Sequence, residues 1–197
     1  MAMPFDDPAT APEEALLAAF AAGDRAAARA LTLRLTPLVL AHAYRLLGCR
    51  AEAEEVAQEA MLRLWRQAPR WRPGEAKVTT WLYRVTANLC IDRRRRARGG
   101  SVPLDAVPEP PDASPGAAER MQARARAEAL QAALDDLPER QRQAVVLRHI
   151  EGLANPEIAE IMGASIEAVE SLTTRGRRAL AAALAARKEE LGYADER

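Results

Sequence analysis

The chain has 197 residues, enough for one large or two small domains. Aromatics make up only 4% of it and Ala, Leu, Arg and Glu dominate, which favours helix over strand; no long run alternates as a strand would. Its 28 basic residues balance 28 acidic ones, so net charge neither points to nor excludes a nucleic-acid partner, and the distribution of charge has to be read instead.

Cys49 and Cys90 are lone thiols far apart in sequence, which argues against a disulfide framework and for a reduced, cytoplasmic protein. His42 and His149 have no Cys or His at ligand spacing, so neither a metal nor a cofactor is expected. No signal-peptide pattern begins the chain, and no apolar run approaches membrane length, so no membrane insertion is expected.

In chain order, 1–12 is expected to fray. Residues 13–98 carry helical periodicity, broken by turns at Gly23-Asp24, at Gly48 to Arg50 and at Pro69 to Gly74. The run 99–116 changes character. Gly99, Gly100, Pro103, Pro108, Pro110, Pro111, Pro115 and Gly116 mark it as a linker, extended and semi-rigid where prolines cluster. Helix resumes near Ala117 and is expected to continue, with breaks at Pro138 and Gly152, to about Leu191. The expected fold is all-α, with helical domains over 13–98 and 117–191.

Two polar features stand out in the first domain. In the run Glu52 to Trp65, the residues Val56, Ala60 and Leu64 can face a core, while Glu55, Gln58, Glu59 and Leu62 share another face. That face is either simply solvated or meets a basic partner. In the run Lys77 to Asp92, Trp81, Leu82, Val85, Leu89 and Cys90 form an apolar stripe, which favours a core role for Trp81 over base stacking. Arg84, Asn88 and Arg95 lie on the other side. The block Arg93, Arg94, Arg95, Arg96 and Arg98 has almost no acids near it in sequence. It is either a solubilising tail or a contact for phosphates and base edges.

In the second domain, Pro156 fits the first turn of a helix striped by Ile158, Ala159, Ile161 and Met162 and ended by Gly163. Ser165 can cap the next helix, in which Val169, Leu172, Gly176 and Leu180 fall on one side. The opposite side shows Glu170, Ser171, Thr174, Arg175 and Arg178. A helix that packs on one face and offers Ser, Thr and Arg on the other suits a DNA major groove; an ordinary helical hairpin is the competing reading.

Taken together these segments resemble bacterial RNA polymerase sigma factors of the sigma-70 family, extracytoplasmic-function (group 4) type. Ala53-Glu54-Glu55-Val56-Ala57-Gln58-Glu59 through Leu64-Trp65-Arg66 is similar to region 2.2. Thr80-Trp81-Leu82-Tyr83-Arg84-Val85-Thr86-Ala87-Asn88-Leu89 with Asp92-Arg93-Arg94 is similar to regions 2.3 and 2.4, and Leu137-Pro138-Glu139-Arg140-Gln141 with the helix-turn-helix to region 4. The short linker leaves no room for a region 3 domain.

The resemblance implies roles. Glu55, Gln58, Glu59 and Leu62 would dock on the largest polymerase subunit. The loop Arg70 to Lys77, with Arg70, Arg72 and Lys77, would hold a flipped base of the minus-10 element, with Arg84, Asn88, Arg93, Arg94 and Arg95 near the DNA strand. Glu170, Ser171, Thr174, Arg175 and Arg178 would read the minus-35 element. Core RNA polymerase, promoter DNA and an anti-sigma factor are the implied partners. The sequence departs from the family where Val78 replaces a common Phe, where Glu170 replaces Lys or Arg, where Leu172 replaces Arg and where Thr173 replaces Leu. A stand-alone helix-turn-helix regulator is the rival reading, but it leaves the Glu55–Glu59 face unexplained. A helical enzyme is disfavoured, since no Ser/His/Asp set, phosphate loop or metal cluster is legible.

Overall fold

The computed structural model describes residues 11–98, 117–185, 187, 188 and 191, and every regular element among them is helical, as expected. The 99–116 linker reading lies outside the described residues, as does the reading of 1–10. The chain divides into two compact units. One is built from the helices up to Arg95, except Arg45–Cys49 at the end of its second helix; the other comprises Arg45–Cys49 and the residues from Arg96 on, with the helices after 117.

The first unit holds α1 (Glu13–Ala21), α2 (Arg25–Leu47), α3 (Arg50–Gln67), a 3-10 turn at Ala68–Arg70 and α4 (Val78–Arg98). Gly23, at φ +94°, turns the chain between α1 and α2. Asp24 then caps α2, its Oδ1 accepting from the N–H of Ala26 at 2.7 Å and of Ala27 at 3.1 Å. Such a cap contributes about 1 kcal/mol. Pro37 forgoes one hydrogen bond inside α2, yet the helix continues because Leu31, Leu35 and Val39 anchor the buried side around it.

Leu16, Leu17, Leu64 and Leu82 complete that core, each at most 1% exposed, and each buried leucine contributes roughly 2 kcal/mol. Val78, where the family often has Phe, is buried in the same cluster. The frayed start expected over 1–12 does not include its last two residues. Ala11 is buried, its carbonyl accepts from Arg34 at 2.8 Å, and Pro12 accepts the first bond of α1 from Leu16.

The second unit holds α5 (Ala117–Asp135), α6 (Glu139–Val145), a π-turn at Val146–Ile150, α7 (Asn155–Met162) and α8 (Ile166–Ala185). Arg142 lies on the buried side of α6, 2% exposed, donating to the carbonyls of Asp135 at 2.6 Å and Leu137 at 3.2 Å. It also pairs with the Asp135 carboxylate at 3.3 Å, so a buried charge locks the α5–α6 turn. After the π-turn, α7 begins with Glu157 accepting from the Ala154 N–H at 3.0 Å and ends at Gly163, φ +55°. The Ser165 hydroxyl accepts from Ala168 at 3.2 Å, as a cap for α8 should. α8 is described as far as Ala185. Beyond it Leu191 lies in a turn, buried, with its carbonyl accepting from Arg126 at 3.0 Å.

Candidate nucleic-acid and protein interfaces

The sequence-predicted contact residues fall on three surfaces. The first is α3. Burial of Val56, Ala57, Ala60 and Leu64 turns Glu55, Gln58 and Leu62 outward, with Glu59 at the margin. Beside them, Leu40 of α2 and Gln58, Met61, Leu62 and Trp65 of α3 line a groove of about 300 Å3. Leu62 is 41% exposed, so the face offers an apolar edge as well as carboxylates. Glu59 pairs with Arg63 at 2.9 Å one helical turn on.

Glu55 pairs with Arg93 of α4, which also lies 3.6 Å from Glu52. The expectation that acids near the arginine block are almost absent is therefore corrected. In sequence Asp92 alone adjoins the block, 3.9 Å from Arg95, but packing brings Glu52 and Glu55 of α3 to Arg93 as well.

The second surface is the loop before α4. Gln67, Arg70, Trp71, Arg72, Glu75 and Trp81 line a pocket of about 340 Å3. Trp71 and Trp81 meet edge to face, with ring centroids 5.9 Å apart and planes at 82°. Trp81 is half-buried, so it packs against Trp71 and also walls the pocket. Arg70 is exposed, and Arg72 makes an exposed pair with Glu75 at 3.2 Å, which water screens. Lys77 is also exposed, and its carbonyl accepts from Trp81 N–H at the start of α4. A pocket with two aromatic walls and two guanidiniums can take a planar, uncharged ring attached to a phosphate.

The expected loop Arg70 to Lys77 contains Trp71 without singling it out, and Gln67 was missed as a lining residue. Trp71 follows Pro69 and Arg70 in a turn where no periodicity marks a face. Arg84 and Asn88 stand exposed one turn apart on α4, leading from this pocket toward Arg94 and Arg95.

The third surface is α8. Val169 and Gly176 are buried, and Leu172, Thr173 and Leu180 are half-buried. Glu170, Ser171, Thr174, Arg175 and Arg178 are all exposed, as the helical spacing predicts. Arg175 folds its Nε back to the Ser171 carbonyl at 3.3 Å, leaving the outer edge of its guanidinium outward. Glu170 accepts from Asn155 of α7 at 3.3 Å, a partner that the sequence reading did not single out. His149, on the π-turn, is held below its ordinary value of 6.5, first by burial and then by the nearby Arg177 and Arg148.

The chain matches the family description Sigma-70 region 2 over residues 31–99 and Sigma-70 region 4 over residues 127–180. It is 37% identical over 168 residues to the ECF RNA polymerase sigma factor SigM of Mycobacterium tuberculosis, covering 84% of this chain and 81% of that protein. It is 40% identical over 142 residues to the ECF RNA polymerase sigma factor SigE of Mycolicibacterium smegmatis, covering 70% of this chain but 54% of that protein. The chain thus spans about half the length of SigE, and 44% of the similar SigG of Mycobacterium tuberculosis.

Among solved structures, CnrH in complex with the cytosolic domain of CnrY aligns with a TM-score of 0.64 and 28% identity, covering 88% of this chain and 97% of that one. The sigma factor RpoE in complex with the anti-sigma factor NepR from Bartonella quintana shares the fold, with a TM-score of 0.63 at 22% identity, covering 78% of this chain and 94% of that one.

Proposed function

Because the chain belongs to the sigma-70 family of RNA polymerase sigma factors, and to its extracytoplasmic-function type, we propose that it directs core RNA polymerase to promoters. In this reading α3 and its groove dock on the polymerase, α8 reads the minus-35 duplex, and the Trp71–Trp81 pocket holds an unpaired minus-10 base. The protein performs no covalent chemistry; its effect is on equilibria. Unstacking a base costs a few kcal/mol, and a pocket that binds only the extruded base shifts the duplex toward its open form by that binding energy.

The observation that carries the reading is the pairing of two different DNA-suited surfaces on one chain. One is a helix face that fits a major groove; the other is an aromatic, basic pocket that fits a single base. Joining two weak readers raises the effective affinity of the pair. The domain assignment that goes with it is region 2 over 13–98, a linker over 99–116 and region 4 over 117–191. The site of action is the cytoplasm, with polymerase and promoter DNA. Two neighbours with this fold were solved with a bound protein, one of them an anti-sigma factor, which supports control of this chain by such an inhibitor.

Run-off transcription with core polymerase on a promoter library tests the proposal. Transcripts should depend on the chain, and Glu59→Lys should weaken binding to core in a pull-down titration while the circular dichroism spectrum stays unchanged. Sequence-specific promoter binding without polymerase, and no transcription with it, would establish the stand-alone regulator instead.

A further inference from the structure

Two carboxylates stand on the exposed side of α8, Glu167 in its first turn and Glu170 one turn on. The charge of each opposes a DNA partner, since a carboxylate repels phosphate. Glu170 is the one held by a side chain of α7. Its setting is specific. Oε1 accepts a hydrogen bond from Nδ2 of Asn155, the first residue of α7. The start of α7 does not need this carboxylate, because Glu157 already accepts from the Ala154 N–H. Asn155 is half-buried and Glu170 is exposed, so the amide is the fixed partner and the carboxylate is the group being aimed. Oε2 has no partner among the described residues. It stands on the same exposed side of α8 as Ser171 and Thr174.

A carboxylate only accepts hydrogen bonds. In the major groove, guanine offers O6 and N7 and thymine offers O4, all acceptors that repel it. Adenine offers a donor beside the acceptor N7. Cytosine offers its N4 amino group as the donor that matches a carboxylate. We infer that Glu170 is a specificity-determining residue that selects a cytosine in the duplex facing α8, and that Asn155 is the positioning residue that aims it. This rests on the duplex-reading role of α8 proposed above.

The test is selection from a randomised promoter pool by polymerase reconstituted with the full chain. The wild type should enrich cytosine at one minus-35 position by roughly ten-fold. Glu170→Gln, an exposed and isosteric change, should lose that preference and move it toward adenine, with which an amide pairs bidentately. Asn155→Ala should flatten the same position and leave the others intact, and Asn155→Gln, which keeps the donor, should restore part of it. Retention of cytosine by Glu170→Gln overturns the inference. So does an Asn155→Ala variant that lowers enrichment equally at all positions, since that is a brace and not an aiming contact. If the wild type enriches no promoter at all, the sigma-factor reading itself fails, an outcome distinct from an unchanged preference in the variants.

Discussion

Gly176 decides how closely α8 approaches α6, and its replacement by alanine makes a sharp test of the packing. A Cβ at this position would lie 2.5 Å from Val145 Cγ2 and 3.2 Å from the carbonyl oxygen of Gln141. Carbon atoms in contact sit about 3.5–4.0 Å apart, so one helix has to move by about 1 Å. Neither neighbour yields easily. Val145 is β-branched and 2% exposed, and the Gln141 oxygen is helical backbone.

In an open helix, Gly→Ala would gain about 1 kcal/mol from propensity alone. Overpacking of a close contact costs about 1–3 kcal/mol. With two stiff neighbours the upper part of that range applies, and Gly176→Ala should lose about 1–2 kcal/mol net. For a helical unit of this size that lowers Tm by roughly 4–16 °C. Urea and thermal unfolding followed by circular dichroism measure the loss. In a Val145→Ala background the clash with Cγ2 is gone, and the same change should become neutral or stabilising. A Gly176→Ala protein as stable as the wild type, or one equally penalised in both backgrounds, refutes the close-approach argument.

Three further outcomes are expected. Arg175→Ala should cut transcription from minus-35-dependent promoters and relax preference at one base by about 1–3 kcal/mol, read from promoter variants; equal loss on all variants would make Arg175 a phosphate contact. Trp71→Ala should weaken binding of a single-stranded minus-10 oligonucleotide by about 1–3 kcal/mol while leaving minus-35 duplex binding unchanged, read by anisotropy. His149 should titrate below 6.5 in NMR, and Arg177→Ala should raise its midpoint only in part, because burial is the larger cause. A histidine pKa lowered by folding means the unfolded chain binds the proton more readily. Its stabilising contribution is thus present above 6.5 and is lost as pH falls through the folded value.

Helices and turns were legible because local chemistry sets them: Gly23, Asp24, Gly163 and Ser165 each do what their backbone and side chain dictate. The outward face of α8 was legible for the same reason, since Val169, Gly176 and Leu180 alone fix its rotation. Long-range partners were not. Arg142 sits among Glu139, Arg140, Gln141 and Gln143 and reads as surface, although its spacing to Val145 and Val146 places it on the buried stripe. Arg93 reads as part of a free basic block until α3 is packed beside it. Asn155 and Glu170 are fifteen residues apart, and the turn at Gly163 is what brings them within hydrogen-bond reach. Ala, Arg, Lys and Glu in 185–190 all favour helix, whereas the contact of Leu191 with α5 is invisible to propensity.

The ion pairs on α3 bear on how this face meets another protein at a distance. Its four carboxylates, Glu52, Glu54, Glu55 and Glu59, are matched by three guanidiniums, those of Arg93, Arg50 and Arg63. A run that looks strongly acidic in sequence therefore projects little field beyond a Debye length, about 8 Å in physiological salt. Encounter there is not accelerated by steering, and complex formation through this face should be nearly indifferent to ionic strength. In the proposed complex the main hold then comes at contact, from Leu62 and the groove beside it, and Glu55 and Glu59 reach a partner's cations only by giving up Arg93 and Arg63.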